Sequence, residues 1–155
     1  MRSDVLNKNS QKYGNQNTGL VKVPDAATYT MDADNSGKIH IIPDLTADCT
    51  LSFPTEAVGL VFEFWYGGTA ADAQDWLFDT GSDTNYFVGG AVQHDTDAGG
   101  DDTYVVDSDN NSNSQLTVYT PIAGTVVKVV CDGTVWYING SCISATDASH
   151  AFADQ

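Results

Sequence analysis

The stretch VVKVVCDGTVWYINGSCIS, residues 126–144, limits what this chain can fold into more than any other. Asp132-Gly133 and Asn139-Gly140 are preferred pairs for two-residue type I′ hairpin turns, whose two central residues both need positive φ. Two such turns in close succession predict a three-stranded antiparallel meander. Its register sets Val129 opposite Trp136 and Trp136 opposite Ile143, with Val127 opposite Ile138 and Cys131 opposite Thr134. That face is apolar, has Trp136 at its centre and is expected to meet the core. The other face carries Lys128, Val130, Val135, Tyr137 and Cys142. Being half apolar, it is expected to be partly covered by a second layer or by another subunit. The same register puts Cys131 and Cys142 on opposite faces, where they cannot bridge.

Other segments alternate with the period of two that marks half-buried strands. KIHII sets Ile39 and Ile41 against His40 and Ile42. CTLSF sets Cys49, Leu51 and Phe53 on one side and stops at Pro54. LVFEFWY sets Leu60, Phe62, Phe64 and Tyr66 against Val61, Glu63 and Trp65. Strands are also expected at 86–88, 104–106 and 116–120. The one helix candidate is the short segment 70–76. The 21 acidic residues are nineteen Asp and two Glu, and Asp favours turns over helices. The predicted fold class is therefore all-β: an antiparallel two-layer sandwich or jelly-roll-like domain, with a C-terminal three-stranded meander and at most one short helix. Residues 1–20 are polar and read as a flexible N-terminal arm, and residues 21–155 as a single β-sandwich domain.

The formal net charge of −15 sets a field that repels phosphates and anionic membranes, so neither nucleic acid nor membrane is expected as a partner. The most apolar run, Ala57 to Tyr66, contains Glu63 and is shorter than the roughly 20 residues of a spanning helix. The N-terminal stretch MRSDVLNKNSQKYG has no apolar leader, so synthesis in a cytoplasm is expected. Three Cys without a CxxC pair give no zinc pattern.

Two motifs point toward chemistry. Asp79-Thr80-Gly81-Ser82 reads like the catalytic loop of an aspartic protease. Such a dyad needs two carboxylates sharing a proton, and the chain has one such triplet, so the expectation is a turn between strands and no enzyme. Asp32, Asp34 and Ser36 alternate before Gly37 like the first half of an EF-hand loop. The position of the bidentate Glu is Pro43, so these calcium candidates are expected to be a solvated acidic turn, with no metal and no cofactor. His40, His94 and His150 show no ligand spacing.

Several strings carry a resemblance: YTMDADNSGK (with Asn35 an insertion in the pattern), IHIIPDLTADCTLSFP, GLVFEFWYGG, ADAQDWLFDTGS, NSNSQLTV, GTVVKVVCDGTVWYINGS and AFADQ. Over most of residues 27–155 the chain resembles virion surface proteins of tailed bacteriophages, above all the capsid decoration (cement) proteins of marine phages. The resemblance implies a structural protein on the capsid surface of the virion, made in the host cytoplasm, with the major capsid protein as partner and a homotrimer as its assembly. The alternative it leaves is a receptor-binding or fibre-tip (knob) domain of the tail, marked by exposed aromatics such as Trp65, Tyr66, Tyr86 or Tyr119.

Overall fold

The computed structural model describes residues 19–96, 99, 102–146 and 150–155. Residues 1–18 of the expected arm lie outside the described residues. Along the chain the strands are β1 (Leu20–Lys22), β2 (Thr28–Thr30), β3 (Ile39–Ile42), β4 (Cys49–Ser52), β5 (Val58–Tyr66), β6 (Trp76–Asp79), β7 (Phe87–Asp95), β8 (Thr103–Asp107), β9 (Gln115–Val118), β10 (Val126–Asp132), β11 (Trp136–Ser144) and β12 (His150–Ala153). They form a seven-stranded sheet in the order β1-β3-β5-β10-β11-β7-β8 and a five-stranded sheet in the order β12-β9-β6-β4-β2. The two sheets pack face to face as an all-β sandwich. Both are mixed rather than antiparallel. β1, β3 and β5 run parallel, as do β2, β4 and β6, and β11 pairs parallel with β7.

The expected meander is corrected to a single hairpin. β10 and β11 pair with Val129 opposite Ile138 and Cys131 opposite Trp136. The connection spans two residues more than a two-residue turn. A shift of two keeps every side chain on its face, which is why Trp136 still points inward. Gly133 has φ +100°, but Asp132 is not in the left-handed region. Instead the Asp132 carboxylate accepts the N–H groups of Thr134 (2.9 Å) and Val135 (3.0 Å) and shapes the turn.

No turn forms at Asn139-Gly140. β11 runs straight through it, paired with β7 over its whole length from Trp136–Phe87 to Ser144–Asp95. Gly140 has no positive φ. It is needed for close approach, since a Cβ there would lie 2.8 Å from the Val126 carbonyl oxygen. With no chain reversal, the parity of the last residues flips relative to expectation. Cys142 enters the core and Ile143 turns outward, half-buried. Cys131 and Cys142 therefore share the core face. They remain free because about six residues of strand, roughly 20 Å, separate them.

The expected helix over 70–76 is absent. The buried Asp72 carboxylate accepts the N–H groups of Leu45 (3.0 Å) and Gln74 (3.1 Å), and its own N–H goes to the Pro121 carbonyl (2.9 Å). These bonds compete with a helical ladder, and Trp76 then opens β6. One short 3₁₀ turn, Ala33–Asn35, is present.

The core between the sheets is aromatic. Phe53, just past β4, has ring contacts with Phe62, Phe64, Phe78, Phe87 and Trp136, the last at a centroid distance of 4.5 Å. The fully buried His40 ring sits among Phe62, Phe64 and Tyr29. Gly89 marks a tight point in β7. It has φ +105°, and a Cβ would lie 2.6 Å from the Ile138 carbonyl oxygen. Gly89→Ala is expected to cost on the order of 2–4 kcal/mol, from left-handed strain plus displacement of the neighbouring backbone. A urea melt checks this, and a loss below about 0.5 kcal/mol, the range of a neutral surface change, refutes it.

Candidate functional site

The outward face of the seven-stranded sheet is built from alternate residues of strands whose other residues fill the core. One row crosses every strand: Lys22, Ile41, Trp65, Val126, Ser141, Val92 and Val105. The adjacent row is Leu20, Ile39, Glu63, Lys128, Asn139, Gly90 and Asp107. A third, shorter row is Val61, Val130, Tyr137 and Val88. Two apolar rows thus flank a polar one. Val105 (60% exposed), Tyr137 (48%), Trp65 (41%) and Val130 (37%) stand in solvent.

Strands with apolar residues on both faces, as in KIHII and VVKVV, are the signature of a sheet covered on both sides. That signal was present in the sequence. Which residues line up across the face was not, because the rows depend on pairings between strands remote in the chain.

Local bonds hold the aromatic side chains of this face. The Trp65 indole N–H donates to Glu63 Oε1 (2.6 Å), and the Tyr137 hydroxyl donates to Asp132 Oδ2 (3.2 Å). The Asp132 charge raises the Tyr137 hydroxyl pKa. The backbone N–H groups of Val135 and Thr134 hold the Asp132 carboxyl below its usual range. Val135, expected on this face, is instead buried in the turn.

The outer face of the smaller sheet is different in kind. Its rows are Thr28, Thr50, Leu77, Thr117 and Ala151, and Thr30, Ser52, Asp79, Gln115 and Ala153. These are mostly small and polar, as expected of a solvated face.

The other candidates are taken up by local structure. Asp32 caps the 3₁₀ turn by accepting the Asp34 N–H (2.9 Å), while Ser36 Oγ accepts the Val61 N–H (2.9 Å). These bonds direct the Asp32 and Ser36 side chains to backbone partners. Among the described residues no group of three or more His, Cys, Asp and Glu is placed to hold a metal ion.

Asp79 ends β6. Its Oδ1 accepts the Gly81 N–H (2.8 Å) and a bond from the Gln155 side-chain amide. Asp83 Oδ1 accepts from Ser114 Oγ (2.6 Å) and the Gln155 N–H (3.1 Å). The Asp79–Asp83 turn is thus a clasp for residue 155. An Asn at 79 can still accept both bonds, so Asp79→Asn is expected to change stability by less than about 0.5 kcal/mol. A thermal melt checks this.

Of the aromatics expected at a tip, Tyr66 is in the core. Its hydroxyl is held by Asp44 and lies 2.7 Å from the Ala70 carbonyl oxygen, and burial raises its pKa. Tyr86 and Tyr119 are half-buried and outside the three outward rows. All three thiols are buried, and burial pushes Cys142 up to about 12, where it is inert as a nucleophile.

No family model and no curated protein matches the chain.

Proposed function

We propose that this is a structural virion protein that decorates and stabilises the exterior of a tailed-phage capsid, with the major capsid protein as its partner. The observation that carries the reading is the largely apolar outer face of the seven-stranded sheet. A cement protein works by contact: it needs a rigid body and a face for protein, repeated at symmetry-related points of a shell. The resemblance over residues 27–155 supplies the setting and implies three copies around local three-fold points. In a cryo-EM map of virions that carry the chain, sandwich density is expected at repeated positions on the head. Absence of the chain from purified virions would overturn the reading.

A second reading, a receptor-binding or fibre-tip domain, draws support from one pair. Trp65 is exposed with its indole fixed by Glu63, a combination of apolar ring face and polar edge that suits a sugar. Density confined to the tail, together with glycan-array binding lost in Trp65→Ala, would favour it.

A further inference from the structure

We infer that the outer face of the seven-stranded sheet docks face to face with the same face of a second copy, around a two-fold axis near Glu63 and Lys128.

Charge is the first argument. The chain carries −15 from 21 acidic and six basic residues. Of the three basic residues at described positions, Lys22 and Lys128 both lie on this face. They face Glu63 and Asp107 in the two long rows and Asp132 beside Tyr137 in the third, so two of these three cations meet only three of the chain's carboxylates here. Two copies of so acidic a chain repel each other through most of their surface, and this face lets them approach with the least repulsion.

The second argument is self-complementarity. Glu63 and Lys128 stand directly opposite on neighbouring central strands. Yet Glu63 is engaged by the Trp65 indole (2.6 Å), and Lys128 has no hydrogen-bond or ion-pair partner among the described residues. A two-fold contact is isologous, with each residue pair occurring twice. An axis beside this pair sets Lys128 of each copy against Glu63 of the other, between the two apolar rows.

Size is the third. Seven strands about 4.8 Å apart, with central strands of seven to nine residues, present about 700 Å² per copy. That is close to the roughly 800 Å² per partner of a standard specific interface. Growth by strand addition is a poor alternative, because the edge strands β1 and β8 have only three and five residues. The contact closes at two copies in solution and covers the same face that the proposed capsid contact uses, so a copy bound to a shell has left its solution partner.

The test is sedimentation velocity of the full chain at low salt and at about 0.3 M salt, where surface charges are screened beyond several ångströms. The expected species has twice the 16.5 kDa chain mass and strengthens with salt, because screening the net repulsion outweighs screening the two Lys128–Glu63 pairs. Val130→Asp and Lys128→Glu are each expected to weaken it at least tenfold while leaving the far-UV spectrum and melting temperature of the monomer intact. Glu63→Lys alone should also weaken it. An equimolar mixture of the Lys128→Glu and Glu63→Lys chains is expected to restore a 1:1 complex.

A monomer at both salt concentrations overturns the inference. So does a trimer indifferent to Lys128→Glu, or a mixture that fails to pair. A monomer in solution leaves the capsid reading standing, and absence from virions leaves this contact standing, so the two fail separately.

Discussion

Trp136→Ala is expected to remove roughly 3–5 kcal/mol from the folding free energy, the usual range for truncating a buried aromatic. The indole is fully buried at the start of β11, paired with Cys131 on one side and Phe87 on the other. Its ring centroid is 4.5 Å from that of Phe53 and 6.1 Å from that of Phe62. Phe53 belongs to the opposite layer, so this contact joins the sheets. The cavity is walled by rigid strands and cannot collapse easily. Equilibrium urea denaturation measures the loss, and a value below about 1 kcal/mol, less than a Leu→Ala in a core, would contradict the packing described.

The second large effect is a loss of stability in mild acid. His40 is fully buried, and neither ring nitrogen has a hydrogen-bond partner among the described residues. His150 is also buried, with Nε2 3.4 Å from the Val106 carbonyl oxygen. Burial lowers both pKa values, and nearby carbonyl groups oppose this only in part: those of Lys38 and Glu63 for His40, and those of Val106 and Ala91 for His150. The Lys38 charge lowers His40 further. In the unfolded chain each His titrates near its ordinary value of about 6.5. As pH falls below that value, the unfolded state takes up protons that the folded state refuses. Stability is therefore whole above about pH 6.5 and declines down to the lowered folded values, by up to about 1.4 kcal/mol per pH unit for each His.

Urea melts at neutral pH and in mild acid are expected to show this slope, with His40→Phe reducing it. In that variant an apolar ring replaces a buried polar one, so a gain of about 1–2 kcal/mol at neutral pH is expected as well. An unchanged slope in both His40→Phe and His150→Phe would contradict the assignment.

Much of the fold was legible in local pattern. LVFEFWY, CTLSF and the segment around Trp136 declared their faces by alternation, and burial follows that alternation. β1 and β2 have only three residues each, too few for a period to show. Asn139-Gly140 misled because its glycine serves backbone approach, not reversal: nine residues of β7 hold β11 extended. KIHII could not declare its inward face, since both are apolar apart from a histidine that the core accepts. The candidate face was half visible, in Val130 and Tyr137. The rows that extend it to Ile41, Trp65 and Val105 arise from neighbours far back in the chain, parallel and antiparallel alike, which no local pattern encodes.

Those remote neighbours also govern how quickly the chain can find its fold. β10 and β11 meet through a tight turn and can zip on the microsecond scale of a hairpin. Every other partner of these two strands, β5 and β7, must be recruited across a long intervening loop. Loop closure has to be met in entropy before those ladders return any enthalpy. The hairpin is then the natural early structure, and docking of β7 along β11 the slow event, on the millisecond-to-second scale of sheet proteins dominated by non-local pairs. Until β7 arrives, the side of β11 that it will cover is an open edge in solution, the stage of folding at which this chain is most exposed to misassembly.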